Sequence, residues 1–168
     1  MMNTSIAAFV GARSANMVLG ISLCMCLHAA AAHAEKAAAV DEHKVVEKLV
    51  HSYFELWSAG KIDEYGDLFA ETAAIQYLDE DNELVTLRLI PFLHEQRQLQ
   101  VDPRSRSKEE PVRIAITIGP RLAHTIVFYK LTFADEVSYG YDHFTFAKFE
   151  DDWRIVHLLY YDAPPPKD

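Results

Sequence analysis

The chain has 168 residues, 50% hydrophobic and 24% charged, with a formal net charge of −9. That length suits one domain with a single core. The acidic balance repels phosphate backbones and anionic lipid, which argues against nucleic acid as a partner.

The N-terminus carries an isolated Arg13, an apolar run from Met17 to Leu27 and an alanine-rich stretch ending Ala32-His33-Ala34. This order matches a secretory signal peptide with a small-residue cleavage site. The apolar run is short for the roughly 20 residues of a membrane-spanning helix. Residues 1–34 are therefore expected to be removed, with export to a bacterial periplasm or the medium and no membrane association afterwards. Cys24 and Cys26 would leave with the leader, so no disulfide or thiolate chemistry is expected downstream. Loss of Arg13 from the 16 basic residues would leave 15 against 25 acidic ones, a net charge of −10.

Residues 35–40 read as a flexible lead-in. From Asp41, a capping residue, Val46, Leu49, Val50, Tyr53, Phe54 and Trp57 mark one face of a helix that Gly60 stops. A short second helix carries Ile62, Tyr65, Leu68 and Phe69 on one side. Residues 73–78 predict a strand, 79–82 its turn and 83–88 a returning strand. Pro91 suits the first turn of a third helix that ends near Leu99. The charged stretch 101–110 predicts a loop; its basic cluster, Arg104 to Lys108, reads as solvated. Beyond it, 112–118, a strand through Leu122, His124, Ile126 and Phe128, then 137–149 and 153–161 predict an antiparallel meander. Pro164-Pro165-Pro166 begins a tail, 164–168. Helices followed by antiparallel strands define an α+β layer architecture. If the sheet curls around the first helix, it forms a cone with an open mouth suited to a small-molecule pocket.

Three stretches resemble the ketosteroid-isomerase branch of the nuclear transport factor 2-like superfamily, which includes SnoaL-like proteins. They are Tyr53-Phe-Glu-Leu-Trp-Ser-Ala-Gly60, Asp67-Leu-Phe-Ala-Glu-Thr-Ala-Ala-Ile75, and Tyr141 to Ile155 with its acidic turn. The resemblance spans residues 41–163 and implies a curved antiparallel or mixed sheet wrapped around the N-terminal helix, the cystatin-like α+β barrel. It also implies roles. Ketosteroid isomerase moves a proton with an aspartate base beside an oxyanion hole of tyrosine and protonated aspartic acid. The oxyanion pair falls on Tyr53 and Asp142, and the base falls on Tyr77. A phenol of pKa about 10 is a poor base at neutral pH.

His124, among apolar neighbours on its strand face, is a replacement base or a plain core histidine. Asp142 shares a face with Phe144 and Phe146, where desolvation would keep it neutral and make it a donor. Trp57, Tyr77, Phe128 and Phe144 are expected as pocket walls. His157 alternates with Trp153, Ile155, Leu159 and Tyr161, on either the cavity or the outer face. His43, His51 and His94 read as surface residues. No metal-ligand spacing, glycine-rich phosphate loop or serine elbow occurs, so neither metal nor cofactor is expected.

Three functions follow as expectations. The first is a binding module for a small apolar or aromatic molecule, oriented by Tyr53 and Asp142. The second is a cofactor-independent isomerase or dehydratase in which His124 moves the proton. The third is a non-catalytic interaction domain. Aromatic residues on the outward face of the last strands are consistent with a homodimer through the sheet face.

Overall fold

The computed structural model describes residues 41–100, 107–134, 136–150 and 152–167. The leader, the lead-in and residues 104–106 of the basic cluster lie outside the described residues. Helix α1 occupies residues 41–58, with Asp41 already in helical conformation. Val46, Val50, Tyr53, Phe54 and Trp57 form its buried stripe, as the spacing predicts. Gly60 ends it in the left-handed region, φ 71°, with its N–H donated to the Trp57 carbonyl at 2.8 Å.

Helix α2 (Ile62–Gly66) buries Ile62 and Tyr65. Strand β1 (Phe69–Leu78) begins four residues earlier than its sequence suggests, so Phe69 is a strand residue and not part of α2. The Asp79 side chain accepts from the N–H groups of Asp81 and Glu83, closing the turn to β2 (Leu84–Arg88). Helix α3 (Leu89–Leu99) lays Leu89, Phe92 and Leu93 inward. Strands β3 (Lys108–Ile118), β4 (Leu122–Phe133), β5 (Glu136–Phe149) and β6 (Asp152–Ala163) then form the meander. The expected loop 101–110 needs correction: Lys108, Glu109 and Glu110 pair with Thr132, Leu131 and Lys130 as the first residues of β3.

The strands join in one six-stranded mixed sheet, ordered β2-β1-β6-β5-β4-β3. Only β1 and β6 run parallel; every other neighbouring pair is antiparallel. The sheet curves with its concave face toward the helices, the α+β arrangement expected from the sequence.

Two irregularities decide which side chains face inward. Pro111 opposes Tyr129 and Arg113 opposes Phe128, so Val112 is an extra residue that shifts β3 alternation. Phe146 opposes Ile155 and Thr145 opposes His157, so Val156 does the same in β6. Trp153 and Ile155 therefore face the core, followed by Leu158 and Tyr160. His157, Leu159 and Tyr161 turn outward, which corrects the single five-residue face read from the sequence.

A polar contact and a close steric fit hold the domain core. Near the start of α1, the Glu42 carboxylate accepts from Lys148 Nζ and from Trp153 Nε1, each at 2.5 Å. In the first half of β5, Gly140 leaves room for the buried Tyr129 ring of β4; a Cβ there would clash with the phenol end of that ring. Gly140→Ala is expected to cost about 1–3 kcal/mol by overpacking. A urea melt reads it directly, and an unchanged midpoint would mean that the ring moves aside freely.

Candidate functional site

The C-terminal end of α1, the start of β3, the end of β4, the start of β5 and the end of β6 meet at one rim of the concave face. Between them lies a cavity of about 310 Å³, at the small end of the range for ligand pockets. Its mouth passes Leu99 and Phe133, which are 52% and 43% exposed.

Aromatic rings build the walls. Tyr53 stands edge-on to Phe144 with ring centroids 4.8 Å apart, and lies 4.8 Å from Tyr65. Tyr65 in turn meets Phe69 at 5.4 Å and Phe92 at 6.2 Å. The Trp57 indole donates to Gln96 Oε1 at 2.8 Å, which fixes the ring against α3. Both phenols of the Tyr53–Tyr65 pair are held well above the ordinary tyrosine range, chiefly by burial.

Two carboxyl groups face this aromatic hollow. Asp142 points inward from β5, between Val127 and Tyr160 of the flanking strands. It is 3% exposed, and its Oδ2 has no hydrogen-bond partner. Burial first, and the charge of Glu109 second, push its pKa far above the usual carboxylate range. Glu109 enters from β3, opposite Leu131. Burial raises it to about 8. Its backbone is clamped by Ser58 at the end of α1. The Ser58 hydroxyl accepts from the Glu109 N–H at 2.9 Å and donates to the Glu109 carbonyl at 3.1 Å.

The structure thus brings Tyr53, Trp57 and Asp142 to one pocket. It places the other candidates elsewhere. His124 is exposed on the outer face of β4, with Nδ1 3.2 Å from the Thr145 hydroxyl. Phe128 is buried, but on that same outer face, between Arg113, Tyr139 and Tyr141. The expectation that these two residues serve the pocket is corrected. They do share a strand face, but Ala123, Thr125, Val127 and Tyr129 are the ones that point inward. Phe144 packs behind Tyr53 in the core, and Tyr77 stacks on Tyr160 at 5.3 Å, behind the wall that Tyr160 forms. His157 bonds to Gln76 on the outer face at 2.9 Å, and His94, His43 and His51 are exposed.

Sequence reading missed Glu109, Tyr65, Tyr129 and Tyr160. Glu109 sits in a run of charges that resembles a loop. Tyr129 could have been found by carrying the Ala123-Thr125-Val127 alternation two residues further. Tyr160 is visible only once the extra residue at Val156 is known.

A curved mixed sheet closed over a long helix, with an aromatic pocket at its wide rim, defines a domain of the nuclear transport factor 2-like superfamily. Within it, the chain belongs to the family described as "Putative lumazine-binding", whose pattern matches residues 41–161. Solved structures agree on the fold. An NTF2-like protein of unknown function from Shewanella baltica has 20% identity and a TM-score of 0.58, covering 75% of this chain and 97% of its own. An NTF2-like protein with a cystatin-like fold from Novosphingobium aromaticivorans has 13% identity and a TM-score of 0.63, covering 77% and 86%. A "Putative Scytalone Dehydratase" from the same organism has 15% identity and a TM-score of 0.62, covering 77% and 89%. No match occurs among curated proteins.

The raised carboxyl groups make stability depend on pH. In the folded chain Glu109 keeps its proton to about pH 8, whereas its ordinary value is 4.5. Its stabilising contribution is fully present below the ordinary value and is lost as pH rises through about 8. Asp142 acts in the same direction. The drop in unfolding free energy between pH 5 and pH 9 is therefore expected to shrink by on the order of 2 kcal/mol in Glu109→Gln. Urea melts at the two pH values check this, and equal drops in both proteins would contradict it.

Proposed function

We propose that the domain binds a small, mainly apolar or aromatic molecule in the pocket at the rim of the cone, with Tyr53 and Asp142 as the polar contacts that orient it. The carrying observation is the orphaned Oδ2 of Asp142 at the wall of an aromatic cavity. A buried carboxyl without a partner costs free energy in the empty chain. A ligand group that bonds to it recovers that cost and gains orientation. The family description, which names lumazine binding, supports a small-molecule role. The dehydratase reading that relies on a histidine base has less support, because His124 and His157 lie on the outer face of the sheet.

The same reading takes the N-terminal 34 residues as a secretion leader and the outer sheet face as a dimer contact. That face carries Phe128, Tyr139, Tyr141, His143 and Tyr161 in a continuous row of ring contacts. Burying such a row against a second copy would remove apolar surface from water.

Mass spectrometry of chain recovered from the exported fraction is expected to show a co-purifying small molecule and a protein mass that begins at Glu35. Tyr53→Phe and Asp142→Asn should each reduce retention of that molecule by about tenfold, the loss of one good hydrogen bond in a dry site. Full retention in both would remove these residues from the site. Sedimentation of the wild type and of Tyr141→Glu is expected to give a dimer and a monomer respectively; a monomeric wild type would end the dimer reading.

A further inference from the structure

The charge of the pocket says more about its occupant than its shape does. Among the described residues the lining holds three acids, Glu109, Asp142 and Asp162, and no lysine, arginine or histidine. Seven aromatic residues, four of them tyrosines, complete much of the wall. These described residues offer no cation to pair with a carboxylate or phosphate. The pocket is matched to positive charge, because aromatic faces attract cations most strongly where water is excluded.

Asp142 sharpens the argument. Its Oδ2 is buried and without a partner in the empty domain. Tyr53 from α1, Tyr65 from α2, Tyr129 from β4 and Tyr160 from β6 line the same pocket as neutral phenols, and none of them hydrogen-bonds to that oxygen. The other charged groups acting on this set are the acids Glu109, Glu95 and Asp162. A metal ion is a poor fit, since among the described residues no three His, Cys, Asp or Glu side chains converge as ligands. A compact organic cation fits the chemistry.

We propose that the pocket selects a protonated amine carried on a flat, one- or two-ring apolar body, with Asp142 and Glu109 receiving the ammonium and Tyr53, Trp57 and Tyr129 flanking the rings. This inference rests on the small-molecule reading above and narrows it to a chemical class. Binding is an exchange of positive charge. The ammonium enters, one carboxyl proton leaves to solvent, and the carboxylate so formed accepts charge-assisted hydrogen bonds from the ammonium. In the empty pocket burial holds Glu109 and Asp142 protonated, and a bound cation would reverse that. Affinity for an amine must then rise with pH until Glu109 ionises unaided, near 8.

Three probes of one shape separate the possibilities: 1-naphthylmethylamine, 1-naphthylmethanol and 1-naphthoate, titrated calorimetrically into the full chain at pH 6 and pH 8. The amine is expected to bind at least about tenfold more tightly than the alcohol at pH 8 and to tighten by about tenfold or more from pH 6, while naphthoate does not bind. Measured in buffers of different ionisation enthalpy at pH 6, amine binding should release about one proton. In Glu109→Gln and in Asp142→Asn the ratio of amine to alcohol affinity should fall; the two variants remove the carboxyls singly, so one misfolded variant leaves the other to read. An amine no tighter than the alcohol, or naphthoate binding as well as the amine, overturns the inference while leaving a ligand pocket in place. No binding by any probe, together with no co-purifying molecule, overturns the inference and the small-molecule reading alike.

Discussion

Tyr53 meeting Phe144 edge to face is the contact on which the rest of the domain turns. It joins the last turns of α1 to the centre of the concave sheet face. One turn further along α1 is Trp57, and two residues along β5 from Phe144 is Asp142. Once the Tyr53–Phe144 contact forms, an indole and a carboxyl are carried to the same hollow without further choice. The cost lies in Asp142. A carboxyl placed inward among rings must stay protonated or find a partner, and among the described residues its Oδ2 has none. A core optimised only for stability would carry an apolar residue there.

The second constraint is the tie between the end of α1 and the start of β3. The two hydrogen bonds of Ser58 to the Glu109 backbone hold a strand end that would otherwise be free to fray. They fix the height at which the Glu109 side chain enters the pocket. Its interaction with Asp142 across the hollow therefore depends on a serine that is not part of the cavity wall.

How much of this was legible in the sequence varied with the physics behind each signal. The helix stripe, the turn at Asp79 and the long strands could be read because apolar spacing and turn chemistry are local. Tyr53, Trp57 and Asp142 could be placed because each sits on a regular element whose facing neighbours are unmistakably apolar. Regular alternation also grouped His124 with Phe128, and that grouping is correct. It did not say which side of the sheet the group occupies. Both faces of β4 are apolar, with Ala123, Val127 and Tyr129 on one and Leu122, Ile126 and Phe128 on the other. Period-two patterning separates the faces but does not tell inside from outside when both carry rings. His157 and Tyr160 were obscured for a different reason. A single extra residue in β6 reverses the alternation, and nothing in the local composition around Val156 announces it. Glu109 looked like solvent-exposed charge because its burial comes from partners more than twenty residues away.

The strand order has a consequence for the chain as it is made. β6, made after the five other strands of the sheet, does not sit at an edge; it is inserted between β1 and β5. Until it arrives, the β1–β2 hairpin and the β3–β5 ladder have no common partner, and the wall bearing Tyr160 does not exist. With residues 152–163 missing, the two parts of the sheet share no strand and the aromatic trough stays unroofed. Closure waits for residues 152–163, so continuity of the sheet and competence of the pocket are acquired in one event.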